Sequence, residues 1–159
     1  MTDPHALTAE ELDTWSALAT LMEWLPAALD GQLQRDSGVS HFEYGILFAL
    51  SDADDRTLRM SELAGYANST LSRLSRAVGR LEVKSWVRRA PDPRDGRITL
   101  ATLTDAGADA ARAAAPGHVA LVRRLVFDAL TPAQATQLRT ASRRITGAIR
   151  DESGWMPSA

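Results

Sequence analysis

Residues 60–84 read MSELAGYANSTLSRLSRAVGRLEVK, and residues 85–103 continue SWVRRAPDPRDGRITLATL. The first string holds two helical patterns around a turn. Ser61 to Ala67 forms a single-sided helix with Leu63, Ala64 and Ala67 inward, and Leu71 to about Lys84 forms a second with Leu71, Leu74, Ala77, Val78 and Leu81 on one face. Asn68-Ser69-Thr70 is the turn between them, and Asn68 is able to take the left-handed conformation often given to glycine. Ala64 supplies the small residue needed where two such helices cross. The second string alternates as two strands, Trp86–Ala90 and Ile98–Leu103, around a loop with two prolines and a glycine. The pattern is a helix-turn-helix followed by a β-hairpin wing.

The chemistry left on the outer face of the second helix is specific. It consists of Thr70, Ser72, Arg73, Ser75, Arg76 and Arg80, with no acid before Glu82. Hydroxyls and backbone amides near a helix start bond phosphates or base edges. Arginine binds guanine O6 and N7 bidentately. The hairpin adds Arg88, Arg89, Arg94 and Arg97, suited to the sugar-phosphate backbone and the minor groove. Asp92 and Asp95 are expected to pair with arginines and fix their direction. The charge distribution agrees. Residues 56–97 carry ten basic and four acidic side chains, a net +6, while the whole chain is −2, which leaves −8 for the rest. A basic block in an acidic frame fits a polyanion, although a solvated charged face has the same composition.

Outward from this centre, the chain is helical. Thr8 and Glu11 form a capping box ahead of Leu12, Trp15, Leu18, Met22, Leu25 and Leu29, spaced as one amphipathic face. Pro26 is expected to kink or divide that helix, and Gly31–Gly38 to form a breaker-rich connection. Ser40 and Glu43 box a second helix through Leu50, followed by a polar loop and a very short strand from Thr57. Thr104 caps an alanine-rich helix that Pro116-Gly117 is expected to interrupt before it resumes from His118 to Leu130. Thr131-Pro132 starts a last helix to about Arg150. The resulting division is 1–35, an N-terminal helix; 36–103, the winged lobe; 104–150, C-terminal helices; and 151–159, a tail in which Trp155 and Met156 are available for packing. Residues 1–7 are read as frayed.

Taken together, MSELA at 60–64, NSTLSRLSR at 68–76, RLE at 80–82, WVRR at 86–89, DPRDGR at 92–97 and LTDAG at 103–107 resemble the MarR family of transcription regulators. The resemblance spans about residues 10–150. It implies a mainly α winged helix-turn-helix with a small β-wing, and a homodimer formed by interleaved N- and C-terminal helices. It further implies a DNA-binding regulator, usually a repressor, released when a small and often aromatic molecule binds between the dimer helices and the DNA lobe. By position, Thr70, Ser72, Arg73, Ser75 and Arg76 would read DNA, with Arg94 and Arg97 on the wing and Asp95 orienting them. Arg80 and Lys84 would touch phosphate or solvent. One departure is Ser85, where the family usually has glycine at a helix end that favours a left-handed residue.

Other classes find little support. Zero cysteines exclude disulfides and thiol sensing. His5, His41 and His118 have no metal-ligand spacing, and no nucleophile elbow, phosphate loop or dinucleotide fingerprint occurs. No cofactor and no enzymatic activity are expected. No apolar run approaches the ~18 residues of a membrane span, and the acidic N-terminus does not suit a signal peptide, so a cytoplasmic protein is expected. Trp15, His41 and Tyr44 are the candidate ligand-lining residues. Trp15, Trp24, Phe42, Tyr44 and Phe48 also have the spacing of a buried dimer core. The rival reading is a winged-helix protein-interaction module without sequence-specific DNA binding, since a fold alone does not set a function.

Overall fold

Six helices and a three-stranded sheet make up residues 6–153, the part that the structure, a computed structural model, describes. His5, Trp155 and Met156 lie outside the described residues. Helix α1 (Ala9–Ser37) starts at the Thr8–Glu11 capping box and ends at Gly38, whose φ of 65° provides the left-handed cap. Helix α2 (His41–Asp52) starts at the Ser40–Glu43 box. Strand β1 (Thr57–Arg59) leads directly into α3 (Met60–Tyr66), and α4 (Leu71–Val83) follows across the turn. Strands β2 (Val87–Pro91) and β3 (Thr99–Leu103) form the wing, α5 (Asp105–Val122) follows, and α6 (Pro132–Ser153) closes the chain.

Strand β3 is central, antiparallel to both neighbours, with Ala101 opposite Leu58 on one side and Arg89 on the other. Leu63, Leu74, Val78 and Leu81 from the helix-turn-helix are fully buried against Ile46, Leu47 and Leu50 of α2 and Ala101 of β3. A second, smaller core joins Leu33, Val39, Tyr44 and Ala114. Those contacts tie α1 and α5 to the winged lobe. Helix α6 makes no extended contact with the rest of the chain, and its Leu138 and Ile145 stay exposed.

Three boundaries differ from the sequence reading. Pro26 does not divide α1, which also runs through Gly31 to Ser37. Pro116-Gly117 does not interrupt α5. The glycine lies beside α1: a Cβ on Gly117 would stand 3.0 Å from Gln32 Nε2 and 3.4 Å from Asp36 Oδ2. Both prolines are exposed, so each ring faces outward and costs the helix one hydrogen bond without entering the core. Finally, α5 does not reach Leu130 as an α-helix. It widens into a π-turn at Arg123–Phe127, with the Asp128 N–H donating to the Arg123 carbonyl at 2.8 Å.

Candidate nucleic-acid interface

The turn that presents α4 is built from backbone conformation. Asn68 has φ 44°, and the Ser69 N–H donates to the Ala64 carbonyl at 3.0 Å. Thr70 then caps α4, its Oγ1 accepting from the Arg73 N–H at 3.3 Å. Thr70, Ser72, Arg73 and Arg76 are all exposed. The three arginines of α4 have different surroundings. The Arg73 guanidinium carbon sits 4.5 Å over the Phe42 ring centre. Arg80 Nε donates to Glu43 Oε1. Arg76 takes no side-chain partner among the described residues. Arg80 is therefore tied to α2, an anchor that the sequence pattern did not identify.

Ser75 differs from its neighbours on α4. It is half-buried, and its hydroxyl accepts from Arg89 Nη1 of β2 at 2.9 Å. The Glu82 carboxylate accepts from Arg89 Nε at 2.9 Å, Nη2 at 2.6 Å and the backbone N–H at 3.0 Å. The side-chain hydrogen bonds from Arg89, helped by its backbone N–H and its charge, hold Glu82 below the usual carboxylate range against the opposing effect of burial. This network joins the wing to α4.

At the wing tip, Asp92 Oδ1 accepts from the Arg94 N–H at 2.8 Å and Asp95 Oδ1 from the Arg97 N–H at 3.1 Å. The carboxylates thus shape the loop backbone, as aspartates do in turns. Asp95 also lies 3.6 Å from Arg97 Nε, while Asp92 makes no ion pair with an arginine among the described residues. Arg94 and Arg97 project into solvent. Ser85 has φ 59°, so this serine occupies the left-handed conformation. Its carbonyl accepts from Thr104 Oγ1 at 2.7 Å.

The candidate ligand residues separate. His41 and Tyr44 of α2 meet His118 of α5, with ring centres 5.6 and 4.7 Å from it. Nδ1 of both histidines and Oε1 of Gln32 are buried without a hydrogen-bond partner among the described residues. Nothing in the spacing of the histidines announces this pairing; it follows from packing α5 on α2. Trp15 does not join them within one chain, but lies half-exposed beside Glu11, Thr14 and Leu18. A separate cleft of about 710 Å³ runs between α2 and α3, with Phe42, Phe48, Leu63 and Tyr66 in its walls and His41 at its edge.

The MarR family profile matches residues 37–98, which contain the helix-turn-helix and the first wing strand. The chain is 47% identical to Sco3205, a MarR family transcriptional regulator from Streptomyces coelicolor crystallised in complex with DNA. The match covers 91% of this chain and 94% of that one, with a TM-score of 0.88. The chain belongs to the MarR family of transcriptional regulators. AbsC, a second MarR family regulator from Streptomyces coelicolor, is 35% identical, with 92% and 99% of the two chains covered and a TM-score of 0.88. MarR itself from E. coli, as a cysteine-to-serine mutant on operator DNA, is 21% identical with 88% and 98% covered and shares the fold at a TM-score of 0.75. Among curated protein sequences none matches. Members of the MarR family are regulators and not enzymes, and the chain's mainly helical body with a small antiparallel wing is the MarR winged helix. No helix in the described residues is long and apolar enough to cross a membrane.

Proposed function

We propose that the chain is a homodimeric repressor that binds a pseudo-palindromic operator and is released by a small molecule. The observation that carries the DNA reading is the exposed end of α4. Thr70, Ser72 and Arg76, which has no side-chain partner among the described residues, face solvent there, and Arg94 and Arg97 extend from a wing bonded to the same helix through Arg89. A helix start, hydroxyls and exposed guanidinium groups are the chemistry that positions on phosphate and reads base edges. Ser75 serves this face from behind, through Arg89. The DNA complex of the relative at 47% identity supports the same reading.

Exposed apolar side chains on the outer helices support the dimer. Leu12, Leu21, Met22 and Trp24 of α1, Val119 of α5, Phe127 beyond it, and Leu138 and Ile145 of α6 stay in water in the single chain. A folded monomer rarely leaves so many large apolar groups exposed along its outer helices. A two-fold pair would place two copies of α4 in successive major grooves, about 34–36 Å apart. The cleft beside Phe42, Phe48 and Tyr66 has the volume and apolar walls of a small-molecule site. The cytoplasm, where the chromosome is, is the compartment this function requires.

A gel shift with the DNA upstream of its own coding sequence, across a salt series, tests the proposal. Binding is expected at low salt and falls steeply as salt rises. Sedimentation is expected to give twice the chain mass, and transcription in vitro to fall on adding protein. No shift at low salt would favour a protein-interaction module instead.

A further inference from the structure

The first turn of α2 touches several other parts of the fold within three residues. The His41 N–H donates to Asp30 Oδ1 of α1 at 2.8 Å, and its ring meets His118 of α5. The Phe42 ring lies under Arg73, and Glu43 holds Arg80. Phe42 is itself fixed, since it packs against the main core that contains Leu74 and Leu63. Arg73 by contrast is exposed and sits at the third position of α4, where its N–H is already used by the Thr70 cap.

A long exposed arginine has many rotamers, and DNA must order it on binding. A ring contact engages the face of a guanidinium and leaves the N–H donors at its edge free to bond. An arginine on an aromatic ring is thus oriented without being used up. We propose that Phe42 is a positioning residue for DNA recognition, its ring aiming Arg73 before DNA arrives. This rests on the reading of α4 as the DNA-reading helix. Phe42 touches no DNA itself; it acts through Arg73.

The test is a double-mutant cycle on operator binding with Phe42→Leu and Arg73→Ala, using the full-length protein. Phe42→Leu keeps an apolar side chain but removes the ring, and is expected to weaken binding about two- to fivefold, the size of an exposed cation–π contact. Phe42→Tyr, which keeps the ring, restores parental binding. In the Arg73→Ala background Phe42→Leu causes no further loss. The proposal is overturned if Phe42→Leu binds like the parent, or if its loss is the same with and without Arg73. If Arg73→Ala binds like the parent while Arg76→Ala does not, Arg73 is no reader and the proposal falls with the rest of α4 standing. If both arginine variants bind like the parent, the DNA reading of α4 fails as well. A measurement on the parent protein guards against a variant that misfolds. In DNA-free protein the Arg73 Hδ resonances are expected upfield of their random-coil positions from the Phe42 ring current, and random-coil values would overturn the proposal.

Discussion

Arg80 Nε lies 2.5 Å from Glu43 Oε1, and Glu43 is only 6% exposed although its partner is largely in water. Burial acts to raise the Glu43 pKa, but the Ser40 amide and the Arg80 guanidinium outweigh it and hold the group below its ordinary value. Glu43 therefore contributes stability that is present above the unfolded carboxylate pKa and lost as pH falls through the lower folded one. Glu43→Ala also removes half of the α2 capping box. It is expected to lower the unfolding free energy by about 1–3 kcal/mol at neutral pH, measured by urea titration, and to flatten the acid limb of stability below about pH 4.5.

Gly107 is the glycine of the LTDAG run at 103–107, and it sits where α5 crosses the wing. A Cβ there would lie 2.1 Å from the Trp86 carbonyl oxygen and 2.7 Å from Leu103 Cδ1. The nearest obstacle is backbone, which cannot swing aside. Gly107→Ala is expected to cost about 3 kcal/mol or more, seen as a lower melting temperature with the wing strand displaced.

Ser85 offers the opposite test. At φ 59° a residue with a Cβ is strained, and the bond from Thr104 Oγ1 goes to the Ser85 carbonyl, which any residue supplies. Ser85→Gly is expected to raise stability by about 0.5–1 kcal/mol, the left-handed penalty less the added freedom of the unfolded chain. A lower melting temperature would mean that the hydroxyl has a role of its own.

His118 should make the α2–α5 junction sensitive to mild acid. Burial pushes its pKa down, and His41 beside it adds to the shift; Tyr44 is the other titratable ring in contact. A histidine with a lowered folded pKa stabilises above its unfolded value near 6.5 and loses that contribution as pH falls through the folded one. The melting temperature of the parent is expected to drop from pH 7.5 to 5.5 by more than that of His118→Gln. A difference between them that does not change with pH would refute this.

On DNA, Arg76→Ala is expected to cost about 1–3 kcal/mol of operator binding with the dimer intact. Arg94→Ala is expected to weaken binding and shorten the protected footprint at its edges. Unchanged affinity and footprint in either variant would remove that residue from the interface.

Much of the central lobe was legible because its signals are local. Leu63, Leu74, Val78 and Leu81 follow from periodicity, the Asn68 turn from its conformational tolerance, and the wing from alternation around DPRDGR. What escaped was set by contacts between distant elements. Gly117 looks like a helix breaker in sequence, but it continues α5 beside Gln32 and Asp36 of α1. Ser75 has the same chemistry as Ser72, yet one faces Arg89 and the other solvent. Glu43 could be read as a capping residue, but not as the partner of an arginine 37 positions away. Spacing along one helix reports which side is apolar; it carries no record of what lies opposite.

The bonds from Arg89 to Glu82 and Ser75 also bear on how an operator can be spelled. They join the wing to α4, so under the proposed reading a helix entering the major groove and the hairpin beside it would act as a caliper with a set opening. Each added base pair shifts the following DNA by about 3.4 Å, more than a hydrogen bond tolerates. A half-site can therefore vary its bases at some cost in affinity, whereas a base inserted between the two points of contact leaves one of them without its target.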